Sequence, residues 1–225
     1  MILRLHVEGT GERDAEITAL VIAGWTGRDA AAMEVHIVEL EAIGVPRPQT
    51  TPCFYRAAAN LLTTGTSIEA LGPETSGEAE FVLIALDDGL WVGAGSDHTD
   101  RKLETVGVAE AKQMCAKPVA PALWRYEDVA GHWDDLVLRS YAIDGGARVP
   151  YQDGPVTAML PPTDLMARFE ASGGTMPPGT LMYCGTLPVI GGIRPASGFA
   201  FELHDPVLDR SIAHEYDIAA LPVVR

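Results

Sequence analysis

Apolar residues along this chain form short runs, and residues that favour turns separate these runs. Near the amino terminus the pattern predicts a strand over Ile2–Val7 and a second β-rich stretch over residues 16–23. Asp29 then precedes a segment in which apolar residues recur at helical spacing, so a helix is expected to begin there. These elements predict a small α/β unit over residues 1–45.

A stop signal for this helix comes at Gly44 and Pro46. The proline-rich segment 45–52 resists regular structure and is the predicted linker. It divides the chain into the amino-terminal unit, residues 1–45, and a larger second domain, residues 46–225.

The second domain consists mainly of short β-type runs between glycine, proline and aspartate residues. The clearest runs are EFVLIAL, LWVGAG, LVLRSYAI, TLMYCGT and FAFEL. Two helical segments interrupt them, over residues 108–116 and 164–172. The pattern therefore predicts an α+β protein that is mostly β.

Two of these apolar runs flank the turn signal Asp-Asp-Gly at residues 87–89, which predicts a hairpin. If the turn consists of residues 88 and 89, Glu80 lies opposite Asp97, and if it consists of residues 87 and 88, Glu78 lies there instead. Side chains alternate between the two faces of a strand, so both registers place all three carboxylates on one face. A one-residue bulge would move Asp97 to the other face.

Three carboxylates on the wall of an apolar sheet must share protons, pair with cations or bind a metal ion, because burial and mutual repulsion both disfavour their charges. A ligand set made only of oxygen atoms suits a hard cation. Mg2+ is the expected ion, and Mn2+ and Ca2+ are less favoured alternatives. The competing interpretation places Glu78 and Glu80 at a solvated strand end and gives Asp97 a turn-capping role.

Composition and charge narrow the range of partners. The chain has 225 residues, with 16 Lys and Arg against 31 Asp and Glu, a formal net charge of -15 and an isoelectric point near 4.7. Such a surface repels nucleic-acid backbones and anionic lipids, so we expect neither a nucleic acid nor a membrane as a partner. A small substrate or another protein is expected instead.

Three cysteines, Cys53, Cys115 and Cys184, stand far apart and are expected to be reduced, buried thiols. The amino terminus contains Arg4 and no long apolar core, so no secretory signal is expected. No apolar run reaches the ~18 residues that a membrane span requires. These observations predict a cytoplasmic protein.

Several motifs resemble the fumarylacetoacetate hydrolase family and follow that family's order along the chain. Residues 95–104, GSDHTDRKLE, are similar to its G-N-D-x-S-x-R-x-x-Q motif, and Glu78-Ala79-Glu80 resembles its E-x-E. The further matches are PCFYRA to F-x-K-P, AKQMCAKPVAPALW to A-K-x-F-D-x-x-x-P-x-G-P, a glycine-turn segment with a Gln over residues 144–160, and PGT...CGTLP to P-G-D...T-G-T-P. The resemblance covers residues 46–205.

The resemblance implies a mixed β-roll that binds one divalent cation, usually Mg2+. It assigns the metal ligands to Glu78, Glu80 and Asp97, the three residues that the hairpin also brings together. It places Lys112 beside the metal, where its charge would stabilise a developing enolate or carboxylate. Lys117 is a competing alignment, and a solvated helical lysine is the other interpretation of Lys112.

The resemblance also implies residues that contact substrate. These candidates are Arg56, Arg101, Glu104, Gln152, Gly185 and Thr186. An ion pair with a ligand carboxylate is the simpler interpretation of Arg101, and a turn without substrate contact is the alternative for Thr186. The chain departs from the family at Glu104, where Gln is usual, and at Arg56, which replaces a lysine. No histidine matches the one that activates water in the family's hydrolases; His98 is the candidate catalytic histidine, although strand alternation points it away from the metal.

We expect a Mg2+-dependent hydrolase or lyase that acts on a small 2-oxo or 2,4-dioxo carboxylate, because the 2-oxo and carboxylate oxygens of such a substrate can chelate a hard cation. Hydrolysis of a carbon–carbon bond through a metal-stabilised enolate is the leading reaction. The alternatives are a decarboxylase, tautomerase or hydratase acting on a 2-oxo acid, and a non-catalytic, metal-dependent protein that binds a small molecule. The resemblance also implies a homodimer.

Overall fold

The computed structural model describes residues 1–8, 11–42 and 47–224. Its strands are β1 (Ile2–Val7), β2 (Gly11–Glu16), β3 (Ala19–Gly24), β4 (Cys53–Ala57), β5 (Leu62–Thr63), β6 (Ser67–Leu71), β7 (Thr75–Ser76), β8 (Ala79–Leu86), β9 (Gly89–Ser96), β10 (Thr99–Asp100), β11 (Lys117–Pro118), β12 (Ala122–Arg125), β13 (Val137–Asp144), β14 (Ala147–Pro155), β15 (Thr180–Thr186), β16 (Gly198–Asp205) and β17 (Arg210–Leu221). Its α-helices are α1 (Ala30–Ala42), α2 (Arg101–Glu104), α3 (Val108–Met114), α4 (Tyr126–Ala130) and α5 (Pro162–Ala171).

Two β-sheets form the body of the protein. The larger has eight strands in the order β2-β1-β12-β9-β8-β15-β3-β4, and the smaller has five in the order β14-β13-β16-β17-β6. Most neighbouring strands are antiparallel, but β1 with β12, β3 with β15 and β6 with β17 run parallel. Both sheets are therefore mixed, and the prediction of an α+β protein that is mostly β is confirmed.

Hydrophobic clusters cover both faces of β8. Phe81 of this strand packs in one cluster with Phe201 of β16, whereas Val82 belongs to a second cluster with Leu5 of β1. All eight residues of β8 are buried, which explains why its sequence is continuously apolar instead of alternating. Glu80 is the acidic exception, and a carboxylate in such a strand needs partners inside the protein.

The elements predicted for the amino-terminal region are present. β1 spans Ile2–Val7 as predicted, and β3, which ends at Gly24, overlaps the β-rich stretch predicted over residues 16–23. α1 begins directly after Asp29, whose Oδ1 accepts hydrogen bonds from the backbone N–H groups of Ala31 (2.9 Å) and Ala32 (3.1 Å). This aspartate caps the helix, because it satisfies backbone donors that have no partner within the first turn.

The predicted helix stop at Gly44 and Pro46 lies outside the described residues, as does the predicted domain boundary. Residues 47–52 of the proline-rich segment contain neither helix nor strand. β1, β2 and β3 belong to the same sheet as β8, β9, β12 and β15. The proposed division into two domains therefore does not coincide with a separation of sheets, and it stays a prediction.

Both helices predicted for the second domain are present, as α3 and α5. α5 begins at Pro162, a residue that suits the first turn of a helix because it lacks a donor that would stay unpaired there. The short helices α2 and α4 were not predicted from the pattern. None of the helices in the described ranges combines the length and apolar character that crossing a membrane requires.

All three cysteines are free thiols. Cys115 and Cys184 are buried as predicted. Cys53 is only partly buried, so the prediction of three buried thiols is wrong at this position. It begins β4, which is the edge strand of the larger sheet and has a neighbour on one side only.

The predicted hairpin consists of β8 and β9, and its two-residue turn comprises residues 87 and 88. Ala79 pairs with Ser96, and the pairing continues to the turn without a bulge. Beyond the paired residues, the backbone N–H of Asp97 donates to the carbonyl of Glu78 at 2.9 Å. Of the two registers that the sequence allowed, the structure has the one in which Glu78 lies opposite Asp97.

Candidate functional site

Three carboxylates from the hairpin meet at one place on the larger sheet. Each of Glu78, Glu80 and Asp97 offers an oxygen atom, and these atoms all lie within 4.8 Å of one another. Asp97 is fully buried, Glu80 is 2% exposed, and the side chain of Glu78 is 14% exposed. Within the ranges that the structure describes, no other group of three acidic, histidine or cysteine side chains is placed to hold a metal ion.

Two glycines allow this arrangement. Gly95 pairs with Glu80, and a Cβ atom at Gly95 would lie 2.6 Å from the ring of Tyr183. Gly185 has a φ of +99°, and a Cβ atom there would lie 1.8 Å from Thr26 Oγ1. Its backbone N–H donates to Glu80 Oε2 at 2.6 Å. Gly185 was predicted to contact substrate, and the structure instead uses its N–H to hold a carboxylate of the cluster.

The protonation of Glu80 differs from that of an exposed glutamate. Burial and the neighbouring charge of Asp97 raise the pKa of Glu80 well above its ordinary value, although Lys112 opposes them. A carboxylate under these conditions gains more from a bound proton or cation than one in water does. Glu80 is therefore the member of the cluster whose charge most needs a partner.

Two lysine side chains flank Asp97. The Lys112 ammonium donates to Asp97 Oδ2 and, at 3.3 Å, to Glu78 Oε2. The Lys117 ammonium lies 2.9 Å from Asp97 Oδ1 and donates to the backbone carbonyl of His98 at 2.5 Å. The sequence left Lys112 and Lys117 as competing alignments, and the structure brings both to the same carboxylate.

These contacts keep the buried groups charged. Burial alone would raise the pKa of Asp97, but Lys112 and Lys117 lower it to about 2. Burial alone would lower the pKa of Lys112, but the negative charges of Asp97 and the two glutamates raise it above its ordinary value. Lys112 is 7% exposed, so its interpretation as a solvated helical lysine is wrong.

Arg101 connects the cluster to a fourth carboxylate. Its Nη1 donates to Glu78 Oε1 at 2.9 Å and to Glu104 Oε2 at 3.0 Å, and its Nε donates to Ser76 Oγ at 2.7 Å. These contacts match the ion-pair interpretation of Arg101. Burial would raise the pKa of Glu78, but Arg101 and Lys112 lower it.

Gln152 is fully engaged inside the protein. Its Oε1 accepts hydrogen bonds from Ala79 N (3.0 Å) and Ser140 Oγ (2.7 Å), and its Nε2 donates to Thr186 Oγ1 (2.6 Å) and Leu187 O (2.7 Å). A primary amide has two donor hydrogens and two acceptor lone pairs, so its capacity is used completely. Gln152 is also 1% exposed. These contacts do not support the predicted contact with substrate, which stays a prediction, and they show that Gln152 positions the backbone between the two glutamates.

Thr186 has a similar role at the end of β15. Its hydroxyl donates to the carbonyl of Ala79 at 2.8 Å while it accepts from Gln152. After an irregularity in the pairing of β15 with β8, Thr186 lies opposite Glu80. These contacts favour positioning of β8 over the predicted hydrogen bond to a substrate carboxylate.

His98 does not meet the requirements of a catalytic histidine. Its ring is fully buried, and Nδ1 lies 3.0 Å from the hydroxyl of Tyr216 in the smaller sheet. Burial and the charge of Lys117 lower the pKa of His98 to about 3, so the ring is neutral at ordinary pH. A general base must reach the proton that it abstracts, and this ring faces the core. This placement does not support a catalytic role for His98, which stays a prediction.

Arg56 is exposed on the edge strand β4. Its neighbour Tyr55 packs against the cluster that contains Val82, and Val82 shares a face of β8 with Glu80. Consecutive strand residues point to opposite faces, so Arg56 points away from that face. The placement does not match its predicted contact with substrate. Tyr55 stands on the side of β4 that faces the site, and only the alternation along β4 could have indicated it.

The donor set fits a hard divalent cation. The cluster offers oxygen ligands only, which Mg2+, Mn2+ and Ca2+ prefer. The ionisable groups around it are the carboxylates of Glu78, Glu80, Asp97 and Glu104 and the cations of Arg101, Lys112 and Lys117. When all are charged, four negative charges face three positive ones, so the site has one excess negative charge.

Solved structures with similar folds include the following three enzymes. Fumarylpyruvate hydrolase from Pseudomonas aeruginosa, in complex with Mn2+ and pyruvate, matches with a TM-score of 0.66 and 14% identity over 98% of this chain and 97% of that one. 2-Hydroxyhepta-2,4-diene-1,7-dioate isomerase from Mycobacterium marinum matches with a TM-score of 0.64 and 16% identity over 93% of this chain and 79% of that one. 2-Keto-3-deoxyarabinonate dehydratase matches with a TM-score of 0.66 and 13% identity over 95% and 78%.

The chain therefore has the mixed β-roll of fumarylacetoacetate hydrolase-type proteins, and the resemblance seen in its motifs is confirmed at the level of the fold. Residues 23–216 match the family described as protein of unknown function (DUF2848), and the chain belongs to this family. No curated protein matches the sequence. Since the similar structures include a hydrolase, an isomerase and a dehydratase, the fold alone does not select a reaction.

Proposed function

We propose that this protein is a divalent-metal-dependent enzyme that acts on a small 2-oxo or 2,4-dioxo carboxylate. The observation that carries the proposal is the convergence of Glu78, Glu80 and Asp97 within 4.8 Å, on a fold similar to that of a hydrolase solved with Mn2+ and pyruvate. Pyruvate is a 2-oxo acid, which supports this class of ligand for the site.

The three carboxylates would hold the cation, with Mg2+ as the expected ion and Mn2+ or Ca2+ as alternatives. When bound, the cation would polarise the 2-oxo group of a substrate that chelates it. Each carboxylate has its own protein partner: Glu78 is held by Arg101, Glu80 by the N–H of Gly185, and Asp97 by Lys117. Such partners orient the ligand carboxylates before the cation binds.

The charges of the site suit an anionic substrate. One excess negative charge would become one excess positive charge when a divalent cation binds. Lys112 is 7% exposed and carries a positive charge at the cluster, so it can stabilise negative charge that develops on a substrate oxygen. A small carboxylate would therefore bind to the metal-loaded site more strongly than to the free one.

The proposed reaction is hydrolysis or lysis of a carbon–carbon bond. The burial of His98 favours a second candidate, a decarboxylase, tautomerase or hydratase, because these reactions do not require a histidine that activates water for carbon–carbon hydrolysis. A non-catalytic small-molecule binding protein would bind the same acids without forming product. We propose a cytoplasmic homodimer as the working form, which light scattering can test for its oligomeric state.

Calorimetric titration of metal-stripped protein with Mn2+ and Mg2+ tests the metal site. We expect one site in the wild type, and an affinity lowered about 10-fold or more in Glu80→Gln. Glu69→Gln, which changes an exposed glutamate on β6, is the matched control and should bind like the wild type. Absence of binding in the wild type would contradict the proposal.

Turnover is tested separately with oxaloacetate and a 2,4-dioxo acid in the presence of Mg2+, by NMR detection of products. Carbon–carbon cleavage with uptake of water would support the hydrolase. Loss of carbon dioxide or a shifted double bond would support the second candidate. Saturable binding without any product would support the binding protein.

A further inference from the structure

Glu104 borders the carboxylate cluster without belonging to it. Its side chain is 24% exposed, compared with 14% for Glu78 and 0% for Asp97. The three members of the cluster are the proposed ligands of a cation, and Lys112 and Arg101 are cations themselves. Glu104 is therefore the most exposed of the four carboxylates of the site, and it is the one that is not a proposed metal ligand.

A shared arginine limits the distance between Glu104 and the cluster. Arg101 Nη1 donates to Glu78 Oε1 at 2.9 Å and to Glu104 Oε2 at 3.0 Å, so these two carboxylate oxygens lie at most 5.9 Å apart, the sum of the two distances. A small molecule bound at the cluster would thus lie within reach of Glu104, directly or through one water molecule.

The backbone fixes this carboxylate in place. Arg101 and Glu104 lie three residues apart on α2, a spacing that puts both side chains on one face of a helical turn. Asp100 accepts a hydrogen bond from the backbone N–H of Leu103 at 2.9 Å and so caps the turn that carries them. A base held in this way needs little reorganisation before it reacts.

Glu104 differs chemically from the glutamine that is usual at its position in the resembling family. Gln is usual in the resembling family and cannot accept a proton, whereas a glutamate can. Burial and the charge of Glu78 raise the pKa of Glu104 above its ordinary value, while Arg101 opposes this. A higher pKa makes a carboxylate a stronger base while it still ionises.

We propose that Glu104 is the catalytic base that removes a proton from carbon 3 of a 2-oxo acid bound at the cluster. This rests on the proposed function. The carbon–hydrogen bond breaks, the proton goes to a carboxylate oxygen of Glu104, and the electron pair delocalises onto the 2-oxo oxygen. Lys112 supplies positive charge for that oxygen. Return of the proton from Glu104 to carbon 3 reverses the step.

Exchange of pyruvate methyl protons for deuterium tests this step directly. The signal loss is followed by proton NMR in deuterated buffer with Mg2+ and the full-length protein. We expect exchange in the wild type, and in Glu104→Gln an exchange rate that is lower by about 100-fold or more. Glu104→Asp keeps the carboxylate and should restore part of the rate. Glu110→Gln, which changes an exposed glutamate on α3, should exchange like the wild type.

Two further measurements separate a base from a structural residue. Calorimetry should show that Glu104→Gln binds Mn2+ like the wild type, because Glu104 is not among the three proposed ligands. The wild-type exchange rate should fall as the pH is lowered, because only the unprotonated carboxylate accepts a proton, and this fall should be absent in Glu104→Gln.

Each outcome is decisive. Wild-type exchange with an unchanged rate in Glu104→Gln overturns the role of Glu104 and leaves the proposed function standing. If the wild type binds Mn2+ but exchanges no pyruvate protons, both the role of Glu104 as a base and the proton-transfer chemistry of the proposed function are overturned. Loss of Mn2+ binding in Glu104→Gln assigns the residue to the metal and overturns its role as a base.

Discussion

Lys117 and Asp97 form an ion pair that has no exposed surface, with the Lys117 ammonium 2.9 Å from Asp97 Oδ1 and both side chains 0% exposed. Removing one partner of a buried pair costs about 3–5 kcal/mol, and the lower end of this range is expected here because Lys112 still pairs with Asp97 Oδ2. We expect Lys117→Met to lower the free energy of unfolding, measured by urea titration, by about this amount. Lys102→Met is the control, because Lys102 is 66% exposed and its loss should cost about 0–1 kcal/mol. Equal effects of the two substitutions would contradict this account.

Gly185 should not tolerate even the smallest side chain. Its φ is +99°, and an added Cβ atom would lie 1.8 Å from Thr26 Oγ1. We expect Gly185→Ala to lower the free energy of unfolding by about 2–4 kcal/mol, from backbone strain and overpacking together. Gly146→Ala separates the two effects, since Gly146 has a φ of +82° and no atom within 4 Å of an added Cβ, so about 1 kcal/mol is expected. A smaller loss at Gly185 than at Gly146 would show that the overlap with Thr26 is relieved at no cost.

Gln152 should matter for folding more than for substrate binding. Gln152→Met keeps the length of the side chain but removes hydrogen bonds from three buried partners and from the partly buried Thr186, so we expect a loss of about 3 kcal/mol or more in unfolding free energy. Asp153→Asn, on the next residue of β14, removes the charge of a side chain that is 60% exposed and should cost about 1 kcal/mol or less. A Gln152→Met protein as stable as the wild type, but with weakened substrate binding, would restore the substrate-contact interpretation.

Asp205 should make the stability of the protein depend on pH in acid. Burial would raise the pKa of Asp205, but hydrogen bonds from His132, Leu208 N and Arg210 lower it below its ordinary value of 3.8. A group whose pKa is lowered by folding contributes its full stabilisation above its ordinary pKa and loses it as the pH falls through the folded value. We therefore expect acidification to destabilise the wild type more than Asp205→Asn, which lacks this titration.

Urea titrations at roughly pH 5 and pH 2 measure the loss of unfolding free energy on acidification in each protein. Other carboxylates titrate in both proteins, so the difference between the two losses reports the contribution of Asp205. At neutral pH, Asp205→Asn should lower the free energy of unfolding by about 1–3 kcal/mol, because it removes the negative charge that accepts hydrogen bonds from His132 and Arg210. Asp128→Asn changes an exposed carboxylate on α4 and should keep the wild-type pH dependence. An equal loss on acidification in the wild type and in Asp205→Asn would show that Asp205 is not responsible.

The convergence of the three carboxylates could be predicted because it depends on local geometry. The two registers that the turn signal allows differ from each other by two residues in strand pairing. A shift of two residues leaves every side chain on the same face of the sheet. Alternation therefore placed Asp97 with Glu78 and Glu80 before the turn was known. Which glutamate lies opposite Asp97 depended on the turn, which comprises residues 87 and 88.

The partners of the cluster could not be predicted in the same way. Motif matching presented Lys112 and Lys117 as alternatives, because two lysines in one segment compete for one position in a linear alignment. In three dimensions α3 ends at Met114 and β11 follows it, so the two ammonium groups approach Asp97 on different oxygen atoms. A linear pattern contains no information about which atom of a carboxylate a partner reaches.

The sequence by itself determined the class of fold, the hairpin and the acidic face of that hairpin, because alternation and turn chemistry act between residues that are close in the chain. Only the tertiary structure decided which motif residues face the site and which support it. Glu80 and Gly185 are 105 residues apart in the chain, and the pairing of β15 with β8 joins them. Thr186 belongs to this pairing, and Gln152 comes from β14 of the smaller sheet. Both side chains bond to Ala79, because buried backbone groups beside a strand must be hydrogen-bonded and long-range contacts supply the partners.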